Sequence, residues 1–521
     1  MKTLGEKRRR LRPQADGLAL QARRLVAQGS FGPALDALGR ALQLAPEADR
    51  LWAQFGELIR FFRLRDPHTP ALRALLERAL EHPAVDPGNL VLPIVSAAMS
   101  RADPLAEPLL LRLMQDTIVR DTQFEELLVA ARQRADVPLE ARVALAHQWF
   151  NTEYVAAGSA TELAQPRTLD DFARYAAYRP LHTLPDAAAV AERLAHTPLA
   201  SLARRQIVEP LEEERLRATM PSLGSASDAV SRAVQAQYEA NPYPRWIRMQ
   251  TRFEAAPLAQ LLQELFPGVQ APPPGPPRIL VAGCGTGQNA IATALRFADS
   301  SVLAIDLSRA SLAYAKRKTA ELGIASIEYR QADLLRLGAP EERFSLVEAS
   351  GVLHHLEDPL AGWRVLAGRV ASGGFMRIGL YSARGRRHFT HARRFVAERG
   401  FEATPDGLRA ARAAIREEAA HDELLARVAR NEDFFSLSGC RDMLFHVQEQ
   451  VYELPQIARM VAELGLDFLG FELDDSGITA ARYRARFPAD VRMRDLASWH
   501  QYEQENPDAF TRMYEFWLQR R

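Results

Sequence analysis

Residues 278–306 constrain the fold of this 521-residue chain more than any other stretch. A short apolar run, Arg278 to Ala282, stops at GCGTG, and an amphipathic run and a second apolar run ending at Asp306 follow. Glycines at alternate positions allow a sharp turn and let a ligand approach main-chain atoms that a Cβ would shield. The stretch predicts strand, turn, helix and strand, with a ligand against the turn and Asp306 placed to bind a ribose diol.

The spacing of the glycines separates this turn from other nucleotide-binding turns. A dinucleotide fingerprint needs a glycine at position 288, which is Gln, and a phosphate-binding loop needs a Gly-Lys-Ser/Thr ending, which is missing. Gly283, Gly285 and Gly287 form G-x-G-x-G, which resembles motif I of class I S-adenosylmethionine-dependent methyltransferases. The resemblance implies an α/β Rossmann-like domain that binds S-adenosyl-L-methionine. A nicotinamide cofactor and a fold without ligand are the alternatives.

Later segments follow the order of that family's cofactor motifs. Asp333 comes after a predicted third strand in SIEYRQAD, and Ser350 opens SGVLHHLED after a predicted fourth strand, FSLVEA. The resemblance therefore implies cofactor contacts at Gly283, Gly285, Gly287, Asp306, Leu307, Asp333, Leu334 and Ser350. One position departs from the family, which has an acidic residue two positions before the first glycine, where this chain has Val281. Other groups, such as main-chain carbonyls of the turn, would then bind the cofactor's ammonium group.

Composition and charge exclude several classes of protein. Hydrophobic residues make up 47% of the chain and charged residues 25%, the net charge is +1, and the chain has no apolar run of about 18 residues. We therefore expect neither a nucleic-acid partner nor a membrane span. The basic start, residues 1–17, has no apolar run after it, which predicts a solvated tail rather than a secretion signal. Two cysteines, Cys284 and Cys440, suit a cytoplasmic protein.

Residues 18–225 are predicted to form an all-helical domain. Residues 18–46 carry apolar and small residues in a helix-turn-helix pattern, and residues 52–59 resemble the first helix of a tetratricopeptide repeat. The whole chain resembles bacterial fusions of tetratricopeptide-like helices with a class I methyltransferase domain. That resemblance implies a surface that docks a protein or peptide. The alternative is a helical layer that only shields or orients the other domain.

Residues 226–277 are predicted to lead into the second domain. Within YEANPYPRW, the run Asn-Pro-Tyr-Pro is similar to a loop of amine methyltransferases, but that loop follows the fourth strand, where this chain has ASGVLHH. We interpret the run as a stiff segment across the cofactor mouth, in which Tyr238, Tyr243 and Arg245 either contact cofactor or only pack. The proline-rich PGVQAPPPGPP that follows is an extended joint.

Residues 278–521 are predicted to be the methyltransferase domain, interrupted by an insertion over residues 382–454. The insertion is too long for a plain loop and should fold as two or more helices over the strand ends. Residues 466–473 and 478–487 are predicted to form the closing antiparallel hairpin, and the aromatic-rich tail from Asp495 an outer helix.

Candidate catalytic residues follow from the chemistry of methyl transfer. Alignment can supply most of the acceleration, and a base is needed only for an acceptor that carries a proton. His354 and His355 follow the fourth strand and Tyr381 ends the fifth, so each could orient or deprotonate an acceptor. The alternative is that the histidines pack the loop. A metal site of His354, His355 and Asp358 is disfavoured, because no further ligand cluster accompanies it, and we expect no metal.

The insertion carries two features that bear on the acceptor. Its basic cluster, residues 384–394, could bind an anion or pair with acidic residues downstream. The run CRDMLFHVQEQ, with Asp442 and His446 among apolar residues, is typical of a pocket wall. The sequence thus predicts an S-adenosylmethionine-dependent methyltransferase acting on a protein, glycan or small molecule. A helical-repeat adaptor that binds cofactor or partners without turnover is the alternative.

Overall fold

The computed structural model describes residues 4–65, 69–156, 165–224, 226, 228–338, 342–473, 477–511 and 513–521. The chain divides into two compact units. The helical unit comprises residues 1–211 and 246–254, and the sheet unit comprises residues 212–245 and 255–521. Within the described ranges, no helix combines the length and the apolar character needed to cross a bilayer.

Among its described residues, the helical unit contains helices, turns and irregular segments, and no strand. Its helices are α1 (Leu4–Ala27), α2 (Phe31–Leu44), α3 (Asp49–Ile59), α4 (Pro70–Glu81), α5 (Val91–Met99), α6 (Pro108–Asp116), α7 (Thr122–Gln133), α8 (Leu139–Asn151), α9 (Leu169–Ala176), α10 (Ala187–Leu194) and α11 (Ala200–Ala203). A π-helical turn, Arg204–Val208, then leads into α12 (Glu209–Ala218), of which residues 212–218 belong to the sheet unit. The prediction of an all-helical N-terminal domain is confirmed.

The first helix corrects the predicted tail of residues 1–17. From Leu4 onward these residues belong to α1, and residues 1–3 lie outside the described ranges. Ala15, Ala19 and Ala22 recur at helical spacing and are buried. Small apolar residues on one face let α1 pack closely on α2, and this packing outweighs the high charge of the segment.

His147 in α8 makes the stability of the helical unit depend on pH. Its side chain is buried, its Nε2 lies 3.1 Å from Ser201 Oγ, and burial lowers the pKa of His147 to about 3. Between pH 6.5 and about 3, the unfolded chain binds a proton that the folded chain excludes. The stabilisation is therefore complete above about pH 6.5 and falls below it, by at most about 1.4 kcal/mol per pH unit.

We expect the urea midpoint of the full-length protein to fall between about pH 7 and pH 5, and to fall less steeply in His147→Gln. The glutamine keeps a polar side chain of similar reach but cannot bind the proton. Parallel pH profiles for the wild type and the variant would contradict this assignment.

The sheet unit is a seven-stranded mixed sheet with helices on both faces. Its strands are β1 (Arg278–Ala282), β2 (Ser301–Asp306), β3 (Ile327–Gln331), β4 (Phe344–Ser350), β5 (Val370–Tyr381), β6 (Leu466–Phe471) and β7 (Met513–Arg520). The order is β3-β2-β1-β4-β5-β7-β6. Strands β1 to β5 pair in parallel, whereas β7 is antiparallel to both neighbours. This sheet confirms the predicted α/β Rossmann-like architecture.

The helices of the sheet unit cover the two faces of the sheet and the carboxyl ends of its strands. They are α13 (Ala229–Ala240), α14 (Leu258–Leu265), α15 (Gln288–Arg296), α16 (Arg309–Glu321), α17 (Pro359–Arg369), α18 (Arg387–Glu398), α19 (Pro405–Glu418), α20 (Glu423–Ala429), α21 (Leu437–Phe445), α22 (Leu454–Glu463), α23 (Ile478–Arg486) and α24 (Leu496–Glu505). The segment predicted as an insertion contains α18 to α21, as its length required.

The prediction for the closing hairpin is wrong. Residues 478–487, predicted as its second strand, form α23, and the second strand is β7, within the tail predicted as a helix. ITAARYRAR is rich in alanine and arginine, which favour helix. MYEFWLQR is rich in aromatic residues, and Tyr514, Phe516, Trp517 and Leu518 are buried between β5 and β6. The predicted turn falls largely on residues 474–476, which lie outside the described ranges.

Candidate active site

The glycine turn after β1 is fixed by backbone conformation and by close packing. Gly283, Gly285 and Gly287 have φ angles of 68°, 51° and 85°, which side chains disfavour. A Cβ on Gly283 would lie 2.5 Å from the Val352 side chain, and one on Gly287 would lie 2.5 Å from the Ala315 side chain. The three predicted glycines are therefore required by the turn and by its neighbours.

Residues 238–245, which we call the NPYP segment, lie against this turn. The main-chain carbonyl of Tyr243 accepts a hydrogen bond from Thr286 N at 3.3 Å, and a Cβ on Gly285 would lie only 2.6 Å from that oxygen. Thr286 Oγ1 donates to the carbonyl of Pro244 at 2.6 Å. The segment thus covers the turn, where the sequence predicts the cofactor mouth.

Asp306 stands at the end of β2 and is half-buried. Its Oδ2 accepts from Gly285 N at 2.8 Å and its Oδ1 from Ser308 N at 2.9 Å. Burial raises the pKa of Asp306. Each oxygen retains a second lone pair, so the carboxylate can still accept hydrogen bonds from a diol. The carbonyl of Leu307, the next predicted contact, accepts from the side chains of Gln235 and Gln331.

The remaining predicted cofactor residues lie along the same edge of the sheet. Asp333 is buried after β3 and its Oδ1 accepts from Leu335 N at 3.0 Å, which begins a 3₁₀ turn containing the buried Leu334. Ser350 ends β4, and its Oγ donates to Glu515 Oε1 at 3.2 Å. Because β1 to β4 are parallel, their carboxyl ends bring these residues to one crevice.

Sequence reasoning missed a buried carboxylate beside the glycine turn. Glu348 on β4 is the register partner of Val281, the position where the resembled family has its acidic residue. Its Oε2 accepts from Thr293 Oγ1 at 2.6 Å and from Asn289 Nδ2 at 3.2 Å, in the helix that follows the turn. Burial raises the pKa of Glu348. The signal available in the sequence was Glu348 itself, which is the one charged residue in the apolar run FSLVEA.

The structure brings the three predicted catalytic residues together. His354 and His355 lie in a 3₁₀ turn after β4, and the ring of His354 stacks on Tyr381 at a centroid distance of 3.6 Å. The ring of His355 stacks at 3.8 Å on His446, which belongs to the insertion. Burial lowers the pKa of His354 and of His355. Within the described residues, neither ring nitrogen of the buried His354 has a hydrogen-bond partner.

Hydrogen bonds around this cluster assign the proton on each imidazole. His355 Nδ1 lies 2.8 Å from the carbonyl of Gln448, which can only accept, so Nδ1 carries the proton and Nε2 keeps a lone pair. His446 Nδ1 accepts from Gln448 N, so its proton is on Nε2, 3.1 Å from Tyr238 Oη. Tyr238 Oη in turn donates to Asp442 Oδ1 at 2.7 Å. The basic lone pair of neutral His355 is therefore on Nε2.

The same cluster has a spacing that a metal could use, but its hydrogen bonds do not suit one. One ligand atom from each of His355, Asp442 and His446 lies within 4.8 Å of the other two. A neutral imidazole bound to metal through Nε2 carries its proton on Nδ1, whereas His446 Nδ1 faces an N–H donor. Asp358, considered above as a ligand, caps α17 instead.

The basic cluster of the insertion is paired with carboxylates inside the sheet unit. Arg386 binds Glu449 through Nε and Nη2, at 3.2 and 2.9 Å, and Arg393 Nη2 binds the same carboxylate at 2.6 Å. His391 lies 2.6 Å from Asp422, as one of the two sequence interpretations expected. The principal acidic partner, Glu449, was not among those predicted.

Comparison with known proteins agrees with this geometry. Residues 279–374, from β1 into β5, match the family model described as methyltransferase domain. Uncharacterized protein syc1184_c of Synechococcus sp. is 30% identical over 290 residues, which are 53% of this chain and 68% of that protein. This chain belongs to the same family as syc1184_c. It is a methyltransferase, and its methyl donor is S-adenosylmethionine.

Solved structures similar to the methyltransferase include PKMT2 from Rickettsia typhi, alone and in complex with AdoHcy. Both are 16% identical with a TM-score of 0.40, and they match 50% of this chain and 51% and 53% of their own. The methyltransferase thus spans about half of the length of PKMT2. The [4+2]-cyclase SpnF is 14% identical with a TM-score of 0.30 and is matched over 98% of its length, 58% of this chain. Similarities this low support no inference about acceptors.

Proposed function

We propose that the methyltransferase acts on an uncharged acceptor whose N–H or O–H proton is taken by Nε2 of His355. The supporting observation is the hydrogen bond from His355 Nδ1 to the carbonyl of Gln448, because it leaves Nε2 as the basic nitrogen. The lowered pKa of His355 keeps that nitrogen unprotonated near neutral pH.

When bound, S-adenosylmethionine supplies a methyl carbon whose bond to sulfur breaks as the acceptor's lone pair attacks, so that the electron pair leaves on a neutral thioether. His355 Nε2 accepts the proton that the acceptor loses, and Asp442 is close enough to stabilise the resulting imidazolium. Asp306 would bind the ribose diol. Glu348 provides negative charge beside the glycine turn, where the cofactor's ammonium group requires it.

The charge of the site favours this acceptor over a carboxylate. Arg386, which lies over the ring of Tyr381, and Arg393, which donates to the main-chain carbonyl of Asp442, share the carboxylate of Glu449. The ring of His446 stacks on His355, and Asp442 has a carboxylate oxygen within 4.8 Å of a ring nitrogen of His355, so a negative acceptor would meet Asp442 there. An uncharged nucleophile with a proton to lose suits this environment better.

A labelling experiment tests the acceptor class. Purified protein is incubated with methyl-labelled S-adenosylmethionine and lysate fractionated by size, and the labelled products are treated with mild base. Methyl esters of carboxylates are hydrolysed under these conditions, whereas methylated amines and ethers are stable. We expect the label to survive. Release of the label as methanol would contradict the proposal.

We further propose that the helical unit is tetratricopeptide-like and docks a protein or peptide acceptor. Trp52, Phe55 and Ile59 of α3 are fully buried at the spacing of such repeats. Phe31 and Phe61 remain 43% and 61% exposed with ring centroids 6.4 Å apart, which leaves an apolar surface for a partner. In the labelling experiment, label should enter the macromolecular fraction. Label only in small molecules would favour a metabolite acceptor.

We place the enzyme in the cytoplasm. The support is that the chain has only two cysteines, Cys284 and Cys440, and that both are buried, a cysteine usage typical of proteins in reducing compartments.

A further inference from the structure

We infer that Tyr238 is a positioning residue for proton transfer, acting on His355 through Asp442 and His446. The inference rests on the proposed role of His355 as the base. It assigns to the NPYP segment a part in the chemistry, in addition to its contact with the glycine turn.

The hydroxyl of Tyr238 links two groups of the insertion. It donates to Asp442 Oδ1 at 2.7 Å and lies 3.1 Å from His446 Nε2, the nitrogen that carries the proton. The side chain of Asp442 is 4% exposed and that of His446 is fully buried, so water does not replace either contact. Because the hydroxyl both donates and accepts, one phenol fixes the carboxylate and the imidazole at the same time.

His355 is surrounded by positively and negatively charged side chains. From the insertion, Asp442, Glu449, Arg393 and His446 act on it, and from the ends of β4 and β5, His354 and Tyr381 lie against it. Arg386 lies over the ring of Tyr381. Among these, Asp442 is the carboxylate whose ligand atoms lie within 4.8 Å of those of His355. The strength of that carboxylate's field at His355 therefore sets how readily the imidazole takes a proton.

Tyr238 reduces this field by donating a hydrogen bond to Asp442. A carboxylate that accepts a hydrogen bond spreads its negative charge onto the donor and attracts a nearby imidazolium less. Removal of the hydroxyl should thus raise the pKa of His355 and leave His446 Nε2–H without its acceptor. The base would then be protonated over more of the neutral range, and its alignment would be looser.

The same residue reaches the cofactor half of the site through its main chain. The carbonyl of Tyr238 accepts from Ser308 Oγ at 3.0 Å, next to the hydrogen bond between Ser308 N and Asp306. The side chain and the main chain thus have separate partners. A substitution that removes only the hydroxyl tests the first without disturbing the second.

The test uses full-length protein saturated with S-adenosylhomocysteine, so that no acceptor is needed. Histidine ring nitrogens are labelled with ¹⁵N, and the resonances of His355 are assigned as those missing in His355→Asn. We expect Tyr238→Phe to move the titration midpoint of His355 upward by about one pH unit, the equivalent of one hydrogen bond. Affinity for S-adenosylhomocysteine should stay within about twofold of the wild type.

Tyr243→Phe is the matched control. Its hydroxyl belongs to the same segment and donates to a different carboxylate of the insertion, Asp433 Oδ1, at 3.0 Å. We expect the His355 midpoint to remain at the wild-type value in this variant.

Four outcomes are decisive. An unchanged His355 midpoint in Tyr238→Phe overturns the inference, and so does an equal shift in Tyr243→Phe, because the effect would then be a general loosening of the segment. Full methyl transfer by His355→Asn would instead refute the proposed base. A shift confined to Tyr238→Phe, together with loss of transfer in His355→Asn, supports both.

Discussion

Replacing Asp306 with Ala is expected to weaken S-adenosylmethionine binding by about ten- to a hundredfold. The variant loses a pair of charge-assisted hydrogen bonds to the ribose, worth roughly 1.5 to 3 kcal/mol. It also leaves the N–H groups of Gly285 and Ser308 without their acceptor, which loosens the glycine turn. Calorimetric titration of wild type and variant measures the effect, and NAD should bind to neither.

Asp495→Ala is the matched control for this prediction. Asp495 caps α24 and, like Asp306, accepts hydrogen bonds from two backbone N–H groups, those of Ala497 and Ser498. The control loses about 1 kcal/mol of stability as a helix cap but should keep wild-type affinity for the cofactor. If Asp306→Ala binds as tightly as the control, the ribose site lies elsewhere.

Replacing His355 with Asn is expected to lower the maximal rate of methyl transfer by roughly 10² to 10⁴. The asparagine can still donate to the carbonyl of Gln448, but it has no basic nitrogen. Burial lowers the pKa of His355, so the wild-type rate should rise as pH increases through that pKa, at a pH below the ordinary range of histidine, and be level at higher pH. The variant should lack this rise, and its deficit should shrink at high pH, where acceptors lose their proton unaided.

His388→Asn controls for the removal of a buried imidazole. His388 lies in α18 with its ring 4.0 Å from that of Phe389, away from the hydrogen bonds of His355. The rate of methyl transfer by His388→Asn and its pH profile should match those of the wild type. A wild-type rate in His355→Asn would show that the proton leaves by another route.

The parallel half of the fold and the cofactor edge could be predicted because their signals are local. The glycines of the turn need left-handed angles, and Asp306 follows an apolar strand, so each can be recognised within a few residues. Strand β7 could not be placed in this way. Its aromatic residues are compatible with an outer helix, and only pairing with β5 and β6, residues distant in sequence, makes them a strand.

On the acceptor side of the site, too, the contacts between residues distant in sequence could not be predicted. His355 and Tyr381 follow strands and were identifiable as candidates, whereas Tyr238 and Asp442 are 204 positions apart and no periodicity joins them. The partner of Arg386 and Arg393 was likewise hidden, because Glu449 lies in a stretch of mixed composition beyond α21. The buried contacts of these side chains show which groups they act on, and the residue types alone do not indicate those contacts.

The most direct test of the account measures methyl transfer by Asp306→Ala and His355→Asn side by side while the concentration of S-adenosylmethionine is raised. The account assigns Asp306 to the cofactor and His355 to the acceptor's proton. Saturating cofactor should therefore restore most of the rate of Asp306→Ala and none of the rate of His355→Asn. The division of the site would be contradicted if a high concentration of S-adenosylmethionine restored the rate of His355→Asn, or if it failed to restore the rate of Asp306→Ala.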